Sequence, residues 1–154
     1  MNNKIKKIIS IILVLICMTV IFCFSATPAD ESDLQSKGII YKIAEKLQGK
    51  KAEEIENIDM LNHLIRKFAH ASIYFLLCIL VMNSIFQIKN DNKFIYNLVA
   101  IGICFLYACT DEYHQLFIEG RAGQFTDVLI DTAGASLGCA IVVLIYKLIY
   151  RKKL

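Results

Sequence analysis

Polar and ionisable side chains that could carry chemistry fall into three groups along a very apolar chain. The first group, His63, Lys67, His70 and Tyr74, advances by four, three and four residues. Its members therefore share one face of a predicted helix, with Arg66 beside them. An imidazole on that face could act as a general acid or base. The alternative is that the cations extend to lipid headgroups while the histidines bind backbone or water.

The second group stands at the end of an apolar run, in the sequence TDEYHQ at residues 110–115. Asp111 and Gln115 lie one helical turn apart and share a face, with Glu112 beside Asp111. Two adjacent carboxylates could bind a cation or move a proton. Acids are also common at the solvated end of a membrane helix, so an exposed end without a function is the alternative.

The third group opens the last apolar run. Arg121 precedes it, and Asp127 and Asp131 stand one turn apart. We expect Asp131 to lie about one turn inside the hydrocarbon boundary, where an ionised carboxylate must face the bundle interior and find a partner. Gly134 and Gly138 continue close to the same face in a G-x-x-x-G spacing, which lets another helix approach closely.

The three groups together predict one polar pocket, because the helices that carry them bring them to the same end of a bundle. Cations of the first and third groups can compensate the carboxylates. In particular, we expect Asp131 to pair with Lys67 or Arg121. The predicted pocket consists of Arg66, Lys67, His70, Tyr74, Asp111, Glu112, Gln115, Arg121, Asp127 and Asp131.

Metal and cofactor chemistry fits this pattern less well. A hard-cation site could be assembled from Asp111, Glu112, Asp127 and Asp131, with His70 or His114. The nearby cations of the pocket oppose such a site. The sequence also lacks the H-E-x-x-H, G-x-S-x-G, P-loop and G-x-G-x-x-G motifs. We predict no metal and no other cofactor.

The composition places these groups in a membrane protein. Of the 154 residues, 56% are hydrophobic and 20% are charged, which is too apolar for an ordinary soluble domain. Four runs reach or approach the roughly 20 residues that cross a hydrocarbon core of about 30 Å. The sequence therefore predicts an all-α membrane protein, a four-transmembrane-helix bundle that forms one domain over residues 1–154, with spans near residues 5–24, 68–86, 94–109 and 128–146.

Basic residues predict the orientation of the bundle. They cluster before the first span, between the second and third, and after the fourth: Lys4, Lys6, Lys7, Lys89, Lys93, Lys147, Arg151, Lys152 and Lys153. The positive-inside rule places all of them in the cytoplasm. We therefore predict a multi-pass protein with both termini cytoplasmic and the polar pocket on the outer side.

Two segments leave alternatives open. The first span could instead be a signal peptide that is cleaved after residues 27–29. The outer segment, residues 26–63, predicts an interfacial amphipathic helix that ends near Gly49. The alternative for this segment is a solvated loop. The apolar face of the predicted helix consists of Ile40, Ile43, Ala44 and Leu47.

The cysteines and the net charge limit the classes of partner that the sequence predicts. The six cysteines lie within or at the edge of apolar runs and form no C-x-x-C pair, so we interpret them as small hydrophobic fillers. The net charge of +3 is not arranged as a basic stripe with interleaved aromatics, which argues against nucleic acid. Membrane lipids and a lipid-linked or amphiphilic ligand are the expected partners.

The three polar groups together closely resemble the VanZ-like family. The resemblance covers roughly residues 66–140 and rests on RKFAH at residues 66–70 with Tyr74, on DEYHQ at residues 111–115, and on Arg121, Asp127, Gly134 and Gly138. Phe24 and Ser25 at the end of the first span also fit. Asp131 departs from the pattern, since the family often has Asn there, and the departure adds a charge.

The resemblance implies a small four-helix protein of the bacterial cytoplasmic membrane, whose namesake is associated with resistance to the glycopeptide antibiotic teicoplanin. Our leading hypothesis is a non-enzymatic protein of the cell envelope. Its pocket would bind a lipid headgroup, a wall precursor or a glycopeptide antibiotic and contribute to antibiotic resistance. The alternative is a membrane-embedded enzyme acting on a lipid or lipid-linked substrate, with His70 and the Asp111/Glu112 pair as acid and base. A third hypothesis is a polar cluster that only stabilises the bundle or holds a partner protein.

Overall fold

The computed structural model describes residues 2–48, 57–89 and 94–151. These residues form five helices, α1 (Asn3–Ser25), α2 (Ala29–Gln48), α3 (Ile58–Lys89), α4 (Phe94–Gln115) and α5 (Phe125–Arg151). The described part of the chain contains no strand. The all-α prediction is therefore confirmed.

Four of the described helices are long and apolar enough to cross a membrane. Their spanning parts are Asn3–Ser25, Ile58–Ile88, Phe94–Gln115 and Phe125–Ile149. Each contains one predicted apolar run, which confirms the four-helix bundle and supports a multi-pass membrane protein. The helices are longer than the predicted spans, because helical backbone hydrogen bonding continues beyond the apolar runs that defined those spans.

Helices α3 and α5 pack most closely, and two glycines of α5 allow this. A Cβ atom on Gly134 would lie 2.9 Å from the carbonyl carbon of Ala71 and would collide with its oxygen. A Cβ on Gly138 would lie 2.5 Å from the carbonyl oxygen of Phe75. Both helices advance in the same direction through these contacts, so α3 and α5 run parallel, and only residues without a Cβ permit this spacing.

The core lies where α3 meets α1, α4 and α5. It contains four of the six cysteines, one from each spanning helix, together with small and aliphatic side chains: Cys17, Ile21, Leu77, Cys78, Met82, Ala100, Cys104, Ala108, Ala135 and Cys139. All six cysteines are free thiols. The burial of four of them agrees with the interpretation as hydrophobic fillers, whereas Cys109 is half-buried and Cys23 is exposed.

The predicted amphipathic segment is a helix, α2, over residues 29–48, so the loop alternative is wrong for these residues. It begins directly after Pro28, and proline favours a helix start. Of the predicted apolar face, Ile40 is buried and Ile43 is exposed. The side chain of Leu47, and the predicted helix end near Gly49, lie outside the described residues.

Three side-chain contacts hold α2 against the start of α3. They join Ser36 to Asn62 at 2.5 Å, Lys37 to Asp59 at 2.6 Å, and Asp33 to Arg66. The hydrogen bond to Asp59 also raises the pKa of Lys37. Helix α2 therefore lies at the end of the bundle where α1 and α4 finish and α3 and α5 begin. We call this the α2 end.

Candidate functional site

A cavity of about 220 Å³ opens at the α2 end, and we call it the polar cavity. It lies between α3, the start of α5 and the loop that joins α4 to α5. Most of its lining is charged or amide-bearing: Ala29, His63, Arg66, Lys67, His70, Glu112, Gln115, Gly120, Arg121, Ala122, Gln124, Asp127, Ile130 and Asp131.

Eight of the ten residues of the predicted pocket line this cavity, and Tyr74 and Asp111 do not. Tyr74 lies one turn beyond His70 on α3 and is fully buried in the core. Its ring faces Tyr107, with 6.2 Å between the centroids. Tyr74 follows the predicted helical stripe, but the stripe passes from the cavity into the packed interior.

Asp111 faces α1 and is 3% exposed. Its Oδ2 accepts a hydrogen bond of 2.8 Å from Oγ of Ser25, the last residue of α1. Its Oδ1 has no hydrogen-bond partner among the described residues. Asp111 thus joins the ends of α1 and α4. The spacing of polar residues does not predict this contact of Ser25, although its place beside Phe24 in the family pattern is a signal.

Glu112 uses both carboxylate oxygens to hold the start of α5. Oε2 accepts a hydrogen bond of 2.9 Å from the backbone N–H of Gln124, and Oε1 accepts one of 3.0 Å from Nε2 of Gln115. A Cβ on Gly123 would collide with the carbonyl oxygen of Glu112, so the loop needs glycine there. Glu112 therefore lines the cavity with both carboxylate oxygens already hydrogen-bonded.

Lys67 pairs with Asp127, with 2.6 Å between Nζ and Oδ1. The expected pairing of Lys67 with Asp131 is therefore wrong. The parallel register that sets Ala71 against Gly134 places Lys67 level with Ile130. Side chains of a helix tilt toward its N-terminus, so the ammonium reaches the carboxylate nearer the start of α5.

Asp131 is 1% exposed, and neither of its carboxylate oxygens has a hydrogen-bond partner among the described residues. It lines the floor of the polar cavity, one turn below Asp127. Buried polar groups are almost always hydrogen-bonded. Asp131 therefore presents to the cavity a carboxyl group that no described residue satisfies.

Arg121, the other expected partner of Asp131, binds the end of α1 instead. Its Nε donates to the carbonyl oxygen of Thr27 at 3.1 Å, and Nη2 donates to that of Phe24 at 3.3 Å. Burial, with the nearby charge of Arg66, lowers the pKa of Arg121. Among the described residues no carboxylate forms an ion pair with Arg121, which leaves its charge available to the cavity.

A second cavity, of about 260 Å³, lies between α1, α2 and α3, and we call it the apolar cavity. Its lining is largely apolar: Ile21, Phe24, Thr27, Ser32, Gln35, Ser36, Ile39, Ile65, Arg66, Ala69, His70, Ile73 and Arg121. Arg66, His70 and Arg121 also line the polar cavity. These three residues form the junction between the two cavities.

The family model described as VanZ/LLP1 matches residues 10–147 of the chain. The chain belongs to the VanZ/LLP1 family. The match confirms the resemblance seen in the polar motifs and extends it over α1, α2 and most of α5. No curated protein and no solved structure matches the chain.

Two residues that shape the site in this VanZ-like protein escaped the sequence analysis. Gln124 lines the polar cavity and presents its backbone N–H to Glu112. Asp33 carries the counter-charge of Arg66. No local pattern marks Asp33, because its role depends on how α2 docks. His114, weighed as a metal ligand, instead packs its ring against Phe22, with 4.5 Å between the centroids.

The site of this VanZ-like protein combines two kinds of binding group. The junction presents guanidinium groups, which suit phosphate and carboxylate. The floor presents a free carboxylate, which accepts hydrogen bonds. Within the described residues, no group of three or more His, Cys, Asp or Glu side chains is arranged to hold a metal ion. Guanidinium groups beside a carboxyl group are chemically complementary to a molecule that carries both an anionic group and a hydrogen-bond donor.

Proposed function

We propose that this VanZ-like protein binds the polar headgroup of an amphiphile in its polar cavity. The candidates are a membrane lipid, a lipid-linked wall precursor and a glycopeptide antibiotic. The observation that carries the proposal is the carboxylate of Asp131, which is 1% exposed and has no partner among the described residues. An ionised carboxylate buried without a partner is costly, and a bound donor would offset that cost.

The orientation of the site is part of the proposal. Lys4, Lys6 and Lys7 stand at the start of α1, and Lys147 stands near the end of α5, away from the α2 end. Lys89 and Arg151 are the last residues of α3 and α5, and the remaining members of the predicted basic clusters, Lys93, Lys152 and Lys153, lie outside the described residues. The positive-inside rule then places both termini in the cytoplasm of a bacterium and the polar cavity on the outer face. An outward cavity would meet outer-leaflet lipids, wall precursors and antibiotics.

Direct binding to the purified protein tests the proposal. Detergent-solubilised protein would be titrated with phosphatidylglycerol, phosphatidylethanolamine, an undecaprenyl-linked wall precursor and teicoplanin. We expect saturable binding of at least one probe, and we expect Arg121→Gln to weaken it about tenfold or more, since hydrogen bonds to charged groups contribute about 1.5–3 kcal/mol. Lys42→Gln, on the exposed face of α2, is the matched control.

Absence of saturable binding to every probe, or binding that Arg121→Gln leaves unchanged, would overturn the proposal. A contribution to antibiotic resistance is tested separately, by the teicoplanin concentration that inhibits growth of cells with and without the protein. We expect the protein to raise that concentration and Arg121→Gln to remove most of the increase. An identical concentration in both strains would exclude a role in teicoplanin resistance while leaving ligand binding intact.

One observation favours the enzymatic alternative as a second candidate. His70 lines both cavities, so its imidazole would stand beside the bond between the polar and apolar parts of a bound lipid. Glu112 fits the acid or base role poorly because both its oxygens are already hydrogen-bonded. Asp111 keeps one free oxygen but lies outside the polar cavity. The substitution His70→Gln would abolish turnover in an enzyme and only weaken ligand affinity in a binding protein.

A further inference from the structure

The two cavities at the α2 end adjoin and differ in chemistry. All the acidic residues that line either cavity belong to the polar cavity, and the apolar cavity is lined mostly by aliphatic and aromatic side chains. Arg66, His70 and Arg121 belong to both linings. A single molecule that occupies both spaces must therefore place an apolar part on one side of these three residues and a polar part on the other.

The charges follow an order from one cavity to the other. Arg66 and Arg121 stand at the junction, while Asp131 stands on the floor of the polar cavity and away from the apolar cavity. The charge of Lys67 is already taken up by Asp127, and Glu112 is satisfied by neutral donors. The carboxyl group of Asp131 on the floor is therefore left without a partner among the described residues, and Arg121 at the junction forms no ion pair with any of them.

The apolar cavity is accessible from the side of the bundle. Phe24 at the end of α1 is 59% exposed and Ile39 on α2 is 58% exposed, and both line this cavity. In a membrane these side chains face lipid or the interface. An acyl chain could therefore enter between α1 and α2 without crossing the polar cavity.

We infer that the ligand is a phospholipid with an amine at the end of its headgroup, of the phosphatidylethanolamine type. An acyl chain would occupy the apolar cavity, the phosphate would lie at Arg66 and Arg121, and the ammonium would lie at Asp131. The order of chain, phosphate and ammonium in such a lipid matches the order of the linings. This inference rests on the proposed function and names the ligand class for the same site.

Competition between two lipids tests the inference without any substitution. Dioleoyl phosphatidylethanolamine and dioleoyl phosphatidylglycerol have the same chains and phosphate and differ in the terminal group. Wild-type protein, measured by native mass spectrometry or by displacement of a labelled lipid, should bind the ethanolamine lipid about tenfold more tightly, the factor that corresponds to about 1.4 kcal/mol. Equal affinities, or a preference for the glycerol lipid, would overturn the ammonium assignment.

Substitutions locate the two ends of the lipid. Asp131→Asn should reduce the preference for the ethanolamine lipid to about twofold or less while phosphate-dependent binding persists, because a neutral amide no longer attracts the ammonium. Asp30→Asn, at an exposed site on α2, should keep the wild-type preference. Ala69→Phe, which fills the apolar cavity, should weaken both lipids, and Ala133→Phe on the exposed face of α5 should weaken neither.

The outcomes separate the two proposals. Tight binding of both lipids with no preference, abolished by Arg121→Gln, would overturn the amine-bearing ligand and leave the proposed function standing. Absence of binding of these lipids, of the wall precursor and of teicoplanin would overturn both. Full affinity in Ala69→Phe would overturn the placement of the chain in the apolar cavity. A preference that survives Asp131→Asn would show that another group recognises the amine.

Discussion

The ammonium of Lys67 lies 2.6 Å from Oδ1 of Asp127. Asp127 stands at the start of α5, and Asp131, one turn further along that helix, receives no ion pair from any described residue. Of the two carboxylates one turn apart on the same face of α5, Asp127 is therefore paired with a cation, and Asp131 faces the polar cavity. Asp127 thus joins α5 to α3 through Lys67, while Asp131 lines the polar cavity without a partner among the described residues.

Removing the ammonium of Lys67 should destabilise the protein. We expect Lys67→Met to lower the free energy of unfolding by about 2 kcal/mol, because Asp127 would be left partly buried without its charged donor. Adding Asp127→Asn should recover more of that loss than Asp127→Asn gains by itself, whereas adding Asp131→Asn should contribute only the effect that it has in the wild-type protein. Thermal and denaturant unfolding in detergent micelles measure these differences. A larger coupling of Lys67→Met with Asp131→Asn than with Asp127→Asn, after the single effects are subtracted, would contradict the observed pairing.

Removing the charge of Asp131 should leave folding intact. Asn keeps the shape of the side chain and its hydrogen-bonding capacity, and burying a neutral amide costs less than burying an ionised carboxylate. We expect Asp131→Asn to accumulate in membranes at the wild-type level with an equal or higher melting temperature. If the variant failed to accumulate as folded protein, Asp131 would be a structural charge and not a ligand group.

The close packing of α3 and α5 should not tolerate a methyl group. We expect Gly134→Ala to destabilise the bundle by about 1–3 kcal/mol, the usual range for overpacking, because the new Cβ would meet the backbone of Ala71. Gly102→Ala on α4 is the control, since a Cβ there meets no atom within 4 Å. Comparable unfolding curves for the two variants would show that α3 and α5 can separate freely.

The docking of α2 should depend on Asp33. We expect Asp33→Asn to speed amide hydrogen exchange in α2, because Arg66 would lose its ion pair across the two helices. Asp30→Asn removes an acid from the first turn of the same helix at an exposed site and should leave the exchange rate of most of α2 unchanged. Equal effects of the two substitutions would mean that the Asp33–Arg66 contact does not hold α2.

The orientation of the bundle can be measured by labelling introduced cysteines in a cysteine-free background. Glu119→Cys, in the exposed loop before α5, should react with a membrane-impermeant maleimide on cells whose cytoplasmic membrane is intact. Lys147→Cys, near the other end of α5, should react only after permeabilisation. The reverse pattern would place the polar cavity in the cytoplasm and remove wall precursors and antibiotics from the candidate ligands.

The sequence alone determined the helices and the family. Apolar runs of spanning length predict membrane helices because an unsatisfied backbone in hydrocarbon is too costly for other structures. Helical spacing likewise predicted that Lys67 and His70 share a face, and that Gly134 and Gly138 share another. Both signals are local, since they depend on residues within a few turns of one another. Most of the predicted pocket residues do meet in one cavity, because the order of the spans brings the polar ends of α3, α4 and α5 to the same end of the bundle.

The tertiary structure decided which partners the polar groups take. The register of α3 against α5 brings Lys67 to Asp127. Arg121 and Asp111 both bind the end of α1. The docking of α2 on α3 brings Asp33 to Arg66. A shift of one turn moves a side chain by about 5.4 Å along a helix, which is more than the reach of an ion pair. Spacing within one helix carries no information on that shift, so only the packed bundle shows that Asp131 has no partner in the part of the chain that the structure describes.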